Sequence, residues 1–282
     1  LIYQSGLPEC ASPRDLIDAA WERPDMDRLL ANGTVNAAQT GEGPPLFLFH
    51  SLLSDRASFD AIVPKLETSF RTIAPELPGF GRSRAVEGGL AAVADRMAEA
   101  VQDAAGGAPS IVLGNGYGGF VALQMAIRHP GIADRLVLAD CGAAFSEPGR
   151  ETFRNMAKIS REKGLEAITD VAMRRLFAPD FQAQHPELMR GRREAFLRTD
   201  PDVFCAACDA LAGLDLRAEL AGVQVPVLVM VGEHDEATPP PMSRELAAGL
   251  PRAELKIIPG CAHVPQLQSP QQFLGTLKRF LR

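Results

Sequence analysis

The stretch from Ser110 to Arg128, SIVLGNGYGGFVALQMAIR, constrains this chain more than any other. Ile111 to Leu113 is a short apolar run of the kind a parallel strand covered on both faces shows, and Phe120, Leu123, Gln124 and Ile127 recur at helical spacing after it. The stretch therefore reads as strand, glycine-packed turn and helix. The turn itself has two readings. Gly114, Gly116 and Gly119 satisfy the G-x-G-x-x-G pattern of a dinucleotide site, with Asp140 closing the next apolar run about 20 residues on. Gly114, Gly116 and Gly118 equally occupy G-x-S-x-G, the sharp turn that presents a nucleophile, but with glycine where the serine belongs. Glycines also gather at such turns for close packing alone.

The rest of the chain decides between them. At 282 residues it suits one large α/β domain with an insertion. Residues 1–33 read as an N-terminal helical extension, with Leu16, Ile17, Ala20 and Trp21 on one stripe of a helix from Pro13 to Ala31. Thr34 to Gln39 reads as an edge strand, Leu46 to Phe49 as a central one, and a helix is expected from Ala57 to Leu66. Thr72 to Ala74, Arg135 to Ala139, Val225 to Val231 and Glu254 to Ile258 complete the strands, with helices at Ala91–Ala105, Pro241–Gly249 and Gln271–Leu281. Between residues 144 and 214 strand signals stop and helical patterns take over, so this segment reads as a helical cap inserted into a core made of 34–143 and 215–282.

Net charge is −6, from 29 basic and 35 acidic residues, and no run of like charge stands out. Nucleic acid and anionic membrane are poor partners for such a surface, and a small molecule is the better expectation. No apolar h-region opens the chain and no stretch approaches 18 apolar residues, which leads us to expect a cytoplasmic protein. Five scattered cysteines do not resemble a disulfide scaffold. Cys205 and Cys208 form a lone CxxC on a helical pattern with nothing to complete a zinc site, so no metal and no cofactor is expected.

Four strand ends carry marked loops, His50–Asp55, Gly114–Gly119, Gly232–Asp235 and Gly260–His263. Elbow, then acid, then histidine is the chain order of the α/β-hydrolase triad. A dinucleotide fold would begin with its glycine turn, whereas strands precede this one, and it would leave Asp235 and His263 without a task.

On these residues the chain resembles the α/β-hydrolase superfamily from Thr34 to Arg282, and within it the 3-oxoadipate enol-lactonases and related cofactor-free hydrolases. His50-Ser-Leu-Leu-Ser-Asp55, Leu77-Pro-Gly-Phe-Gly-Arg-Ser83, Gly114-Asn-Gly-Tyr-Gly-Gly119, Gly232-Glu-His-Asp-Glu-Ala-Thr-Pro-Pro240 and Ala262-His263 carry the likeness, as does the cap segment Cys205 to Arg217. The resemblance implies a mostly parallel sheet with helices on both faces and a helical cap. It further implies His263 as general base, Asp235 as its orienting carboxylate, and the Leu52 and Tyr117 amides as an oxyanion hole.

Gly116 departs from the pattern, because a glycine has no oxygen to attack a carbonyl. Three histories fit: an inactivated variant, an enzyme whose Asp235–His263 dyad activates water or abstracts a proton directly, or a non-catalytic protein that binds a small ligand. Asp140 and Cys141, at a neighbouring strand end, could be thought substitutes, but their loop has no elbow signature, and for Cys141 buried packing is the simpler explanation.

Overall fold

The computed structural model describes residues 27–281. The apolar runs become eight strands: β1 (Asp27–Leu30), β2 (Val35–Thr40), β3 (Pro45–Phe49), β4 (Arg71–Pro75), β5 (Ile111–Asn115), β6 (Arg135–Ala139), β7 (Val227–Gly232) and β8 (Ala253–Ile258). They form one sheet in the order β1-β2-β4-β3-β5-β6-β7-β8. Pairings of β1 with β2 and of β2 with β4 are antiparallel, and the others are parallel.

Successive residues of a strand face opposite sides of a sheet, and here both sides are buried. Phe47, Phe49, Val112 and Leu138 pack on one side, Leu46, Leu48, Leu113 and Val137 on the other. The short helix α1 (Val63–Leu66) belongs to the second side. Helices α2 (Gly89–Ala105) and α3 (Tyr117–Arg128) cover the first. In α2 the stripe Leu90, Val93, Ala94, Met97 and Val101 is buried, which is the amphipathic spacing that seats a helix on a sheet. It stops at Gly106, whose left-handed φ of 59° a glycine accepts without strain.

Five helices follow β6: α4 (Glu147–Lys163), α5 (Thr169–Leu176), α6 (Pro179–Gln184), α7 (Pro186–Leu197) and α8 (Pro201–Gly213). Asp200 caps α8 by accepting the Asp202 and Val203 amides, and Pro201 occupies its first turn. The helical segment leaves and rejoins the sheet at one neck, where Ala144 and Asp215 form an antiparallel bridge and the Leu216 amide donates to the Ala143 carbonyl at 2.8 Å. The chain ends in α9 (Pro240–Gly249) on the first side, then α10 (Pro265–Gln268) and α11 (Pro270–Phe280), the last on the second side.

Several expectations need correction. The helix expected through Ala31 is replaced at residues 27–30 by β1, so the sheet begins inside the supposed extension; residues 1–26 lie outside those described. Ala31 and Asn32, both left-handed, turn with Gly33 into β2, and β2 is therefore no edge strand. The helix expected over 57–66 is a 3-10 turn at Arg56–Phe59 followed by the four-residue α1, because Pro64 fits only the first turn of a helix.

Candidate active site

Parallel strands bring their carboxyl ends to one edge, and the loops after β3, β5, β7 and β8 converge there. After Asn115 the chain turns through Gly116 into α3 with φ 53° and ψ −119°. A side chain held in such a conformation costs about 1–3 kcal/mol. The turn thus keeps the shape of an elbow without a side chain on it. Its other glycines are required by packing: a Cβ on Gly114 would collide with the Gly118 carbonyl, and one on Gly118 with the Phe49 carbonyl.

Asp235 follows β7. Its Oδ2 accepts from His263 Nδ1 at 2.9 Å and from the Thr238 hydroxyl at 2.7 Å, while Oδ1 accepts the Ala237 and Thr238 amides at 2.8 and 3.0 Å. Burial alone would raise this carboxyl. The attraction of His263, its ring hydrogen bond and the two bonds from Thr238 outweigh that and hold Asp235 below its ordinary value. With Nδ1 directed at the carboxylate, His263 turns Nε2 toward the space above Gly116, 2.8 Å from where a Cβ on Gly116 would lie.

A third buried acid stands behind the pair. Asp140, at the end of β6, accepts the Gly232 amide at 2.9 Å and Asn115 Nδ2 at 3.0 Å. Burial and the neighbouring charge of Asp235 push it well above the usual carboxylate range. Asn115 Nδ2 also donates to the His263 carbonyl at 3.0 Å, and Asn115 Oδ1 accepts from Gln266 Nε2 at 3.0 Å, which ties the elbow strand to the histidine loop. Asp140, Asp235 and His263 offer atoms within 4.8 Å of one another, but these are engaged by amide, hydroxyl and ring donors, an internal network rather than a set of open metal ligands.

The Leu52 and Tyr117 amides donate to no acceptor among the described residues. Tyr117 opens α3, where the helix dipole also favours negative charge. The loop carrying Leu52 is held by His50: Nε2 accepts the Leu77 amide at 3.1 Å, which leaves Nδ1 to donate to the Ser51 carbonyl at 2.9 Å. Burial lowers the pKa of this ring and keeps it neutral for that double task.

Above these groups lies a narrow cleft shared by core and helical segment. Phe145, Phe153, Met156 and Leu211 give it apolar walls, and Arg175 supplies a cation. Among the described residues Arg175 Nη2 reaches only the Ala237 carbonyl, at 3.3 Å, and its guanidinium lies 5.7 Å from the centre of the Phe153 ring. The sequence reading passed over Ser51, Asn115, Asp140's network and Arg175, because what marks them is the company they keep across the chain. Cys141 is fully buried with its thiol against Gly119, and burial pushes that thiol up, away from the thiolate a nucleophile needs. Cys205 and Cys208 are buried on α8, where Cys205 Sγ donates to the Ala157 carbonyl at 3.4 Å.

A parallel sheet whose strand ends carry an elbow, a carboxylate and a histidine in that order defines the α/β-hydrolase class. The chain belongs to the alpha/beta hydrolase family, whose model matches residues 46–276. It is 29% identical over 259 residues to the pimeloyl-[acyl-carrier protein] methyl ester esterase of Nitrosomonas europaea, a match covering 86% of this chain and 97% of the relative. In structure it is similar to the enol-lactonase from Burkholderia xenovorans LB400, with a TM-score of 0.81, 27% identity, and coverage of 90% of this chain and 99% of that one. It is equally similar to a thermophilic esterase from Thermogutta terrifontis solved with malate bound, with a TM-score of 0.81, 27% identity and coverage of 91% and 97%. Among the described residues no helix is long and apolar enough to cross a membrane.

Proposed function

We propose that this chain hydrolyses a small carboxylic ester or lactone, with His263 as general base, Asp235 as its orienting carboxylate and the Leu52 and Tyr117 amides receiving the oxyanion. The observation that carries the reading is the 2.9 Å bond from His263 Nδ1 to Asp235, which leaves Nε2 facing a space lined by Leu52 and Tyr117, whose amides have no acceptor among the described residues. A base that is fixed in tautomer, and donors placed where charge develops, are what acyl transfer needs. With no hydroxyl at position 116, the attacking oxygen is one that His263 can deprotonate from elsewhere. Apolar walls beside Arg175 favour a substrate with a short apolar acyl part and a negative group, and the esterase and lactonase relatives support the reaction class.

The test is a panel of activated esters and five- and six-membered lactones, assayed with the parent chain, His263→Ala and Asp235→Asn. Turnover above background that His263→Ala removes is expected. Turnover unchanged in His263→Ala would refute the proposal, and saturable binding of the panel without turnover would point to a ligand-binding protein.

A further inference from the structure

Position 116 has no side chain, yet the space one would take is not empty. A Cβ on Gly116 would collide with Ser51 Oγ and would lie 3.0 Å from Ser51 Cβ. The hydroxyl reaching this place comes from another strand end, the loop after β3. Its Oγ stands 3.5 Å from His263 Nε2, and that ring is its one hydrogen-bond partner among the described residues. The contact is at the long limit of a hydrogen bond, as catalytic contacts are before substrate tightens them.

We infer that Ser51 is the nucleophile of this chain, standing in from the neighbouring loop for the serine absent at Gly116. The inference rests on the hydrolase reading above. Ser51, His263 and Asp235 make a continuous chain from hydroxyl to ring to buried carboxylate, the arrangement by which a base raises the nucleophilicity of a hydroxyl. The backbone of Ser51 is pinned, since its carbonyl accepts both His50 Nδ1 at 2.9 Å and the Ser54 amide at 3.2 Å. The amide of the following residue, Leu52, and that of Tyr117, next to Gly116, have no acceptor among the described residues, and both residues line the same space. Attacking oxygen, base and both oxyanion donors therefore border one pocket.

In the first half-reaction Ser51 Oγ bonds to the substrate carbonyl carbon as its proton passes to His263 Nε2. The imidazolium returns that proton to the departing alkoxide as the old C–O bond breaks, leaving an acyl group on Ser51. A water molecule then gives a proton to Nε2 and adds to the acyl carbon, and Ser51 Oγ leaves with that proton, so the sum is ester plus water giving acid plus alcohol. Asp235 keeps its charge throughout.

The intact chain is treated with an alkyl fluorophosphonate, which phosphonylates activated hydroxyls with loss of fluoride, and is then mapped by peptide mass. A single adduct on Ser51 is expected, absent from Ser51→Ala and from His263→Ala. Ester turnover should fall by about 100-fold or more in Ser51→Ala and in Ser51→Gly, each first shown to keep the parent's circular dichroism. An adduct on another residue, or none on the parent, overturns the assignment. So does Ser51→Ala turnover within threefold of the parent; if His263→Ala is then inactive, the dyad reading stands and Ser51 alone fails. A parent with neither adduct nor His263-dependent turnover fails both.

Discussion

Gly116 and Ser51 occupy one site from two directions, and this changes what substitution at either residue should do. Placing a serine at 116 adds a side chain at φ 53°, costing about 1–3 kcal/mol of strain, and drives its Cβ into Ser51. Gly116→Ser alone is therefore expected to lower stability by about 1–3 kcal/mol in chemical denaturation and to gain little activity. Combined with Ser51→Gly it needs only a small shift of the His263 ring, whose Nε2 lies 2.8 Å from that Cβ, and ester turnover should exceed that of the Gly116→Ser single variant by tenfold or more. Equal turnover in the single and double variants would show that the two side chains do not compete for the space. The sequence already disclosed Gly116, Asp235 and His263, since chain order and strand-end position are properties of a string. It was silent on Ser51 because nothing in a string states that residue 51 meets residue 263.

Among the elements, the loop after β3 and the neck below the helical segment each hang on one side chain. His50 joins the Ser51 and Leu77 loops only while neutral, because its Nε2 must accept the Leu77 amide. Burial sets its pKa below the ordinary 6.5, so the unfolded chain binds a proton that the folded chain refuses. The stability this provides is complete above about pH 6.5 and is lost as pH falls toward the folded-state value. Melting temperature should decline on acidification below 6.5, and His50→Asn should flatten that decline; an unchanged slope would assign it to other groups. At the neck, Arg150 donates to the carbonyls of Phe145, Ala212 and Leu214 at 3.0, 2.8 and 2.9 Å, binding the entry of the helical segment to its exit. Arg150→Met should cost about 2–4 kcal/mol, read as a lower denaturation midpoint at constant slope, since three part-buried carbonyls lose a charged donor. A cost under 1 kcal/mol would mean that water replaces it. The helical segment was readable as a loss of strand pattern. β1 was not, although Asn32-Gly33 is a hairpin signal, because the helical pattern expected from Pro13 to Ala31 covers residues 27–30.

For the whole molecule, the site belongs to neither the sheet nor the helical segment alone, and on the proposed reading the choice of substrate is made where they meet. The sheet supplies Gly116, His263, Leu52 and Tyr117; the helical segment supplies Phe153, Met156, Leu211 and Arg175. Arg175 pairs with no carboxylate among the described residues, and burial pulls its guanidinium below the ordinary value while leaving it charged. A half-buried cation with no carboxylate beside it is costly, and a ligand carboxylate entering the pocket offsets that cost. Hydrogen bonds to charged groups contribute about 1.5–3 kcal/mol, which corresponds to roughly 10- to 150-fold in affinity. Arg175→Met should accordingly raise KM for a half-ester of a short dicarboxylic acid by about tenfold or more, while KM for the neutral monoester of the same length stays near the parent's. The effect should persist at high salt, because a pair shielded by Phe153 and the pocket walls is weakly screened. Equal losses on both esters would show that Arg175 supports the pocket wall through Ala237 and Phe153 and takes no part in recognising charge.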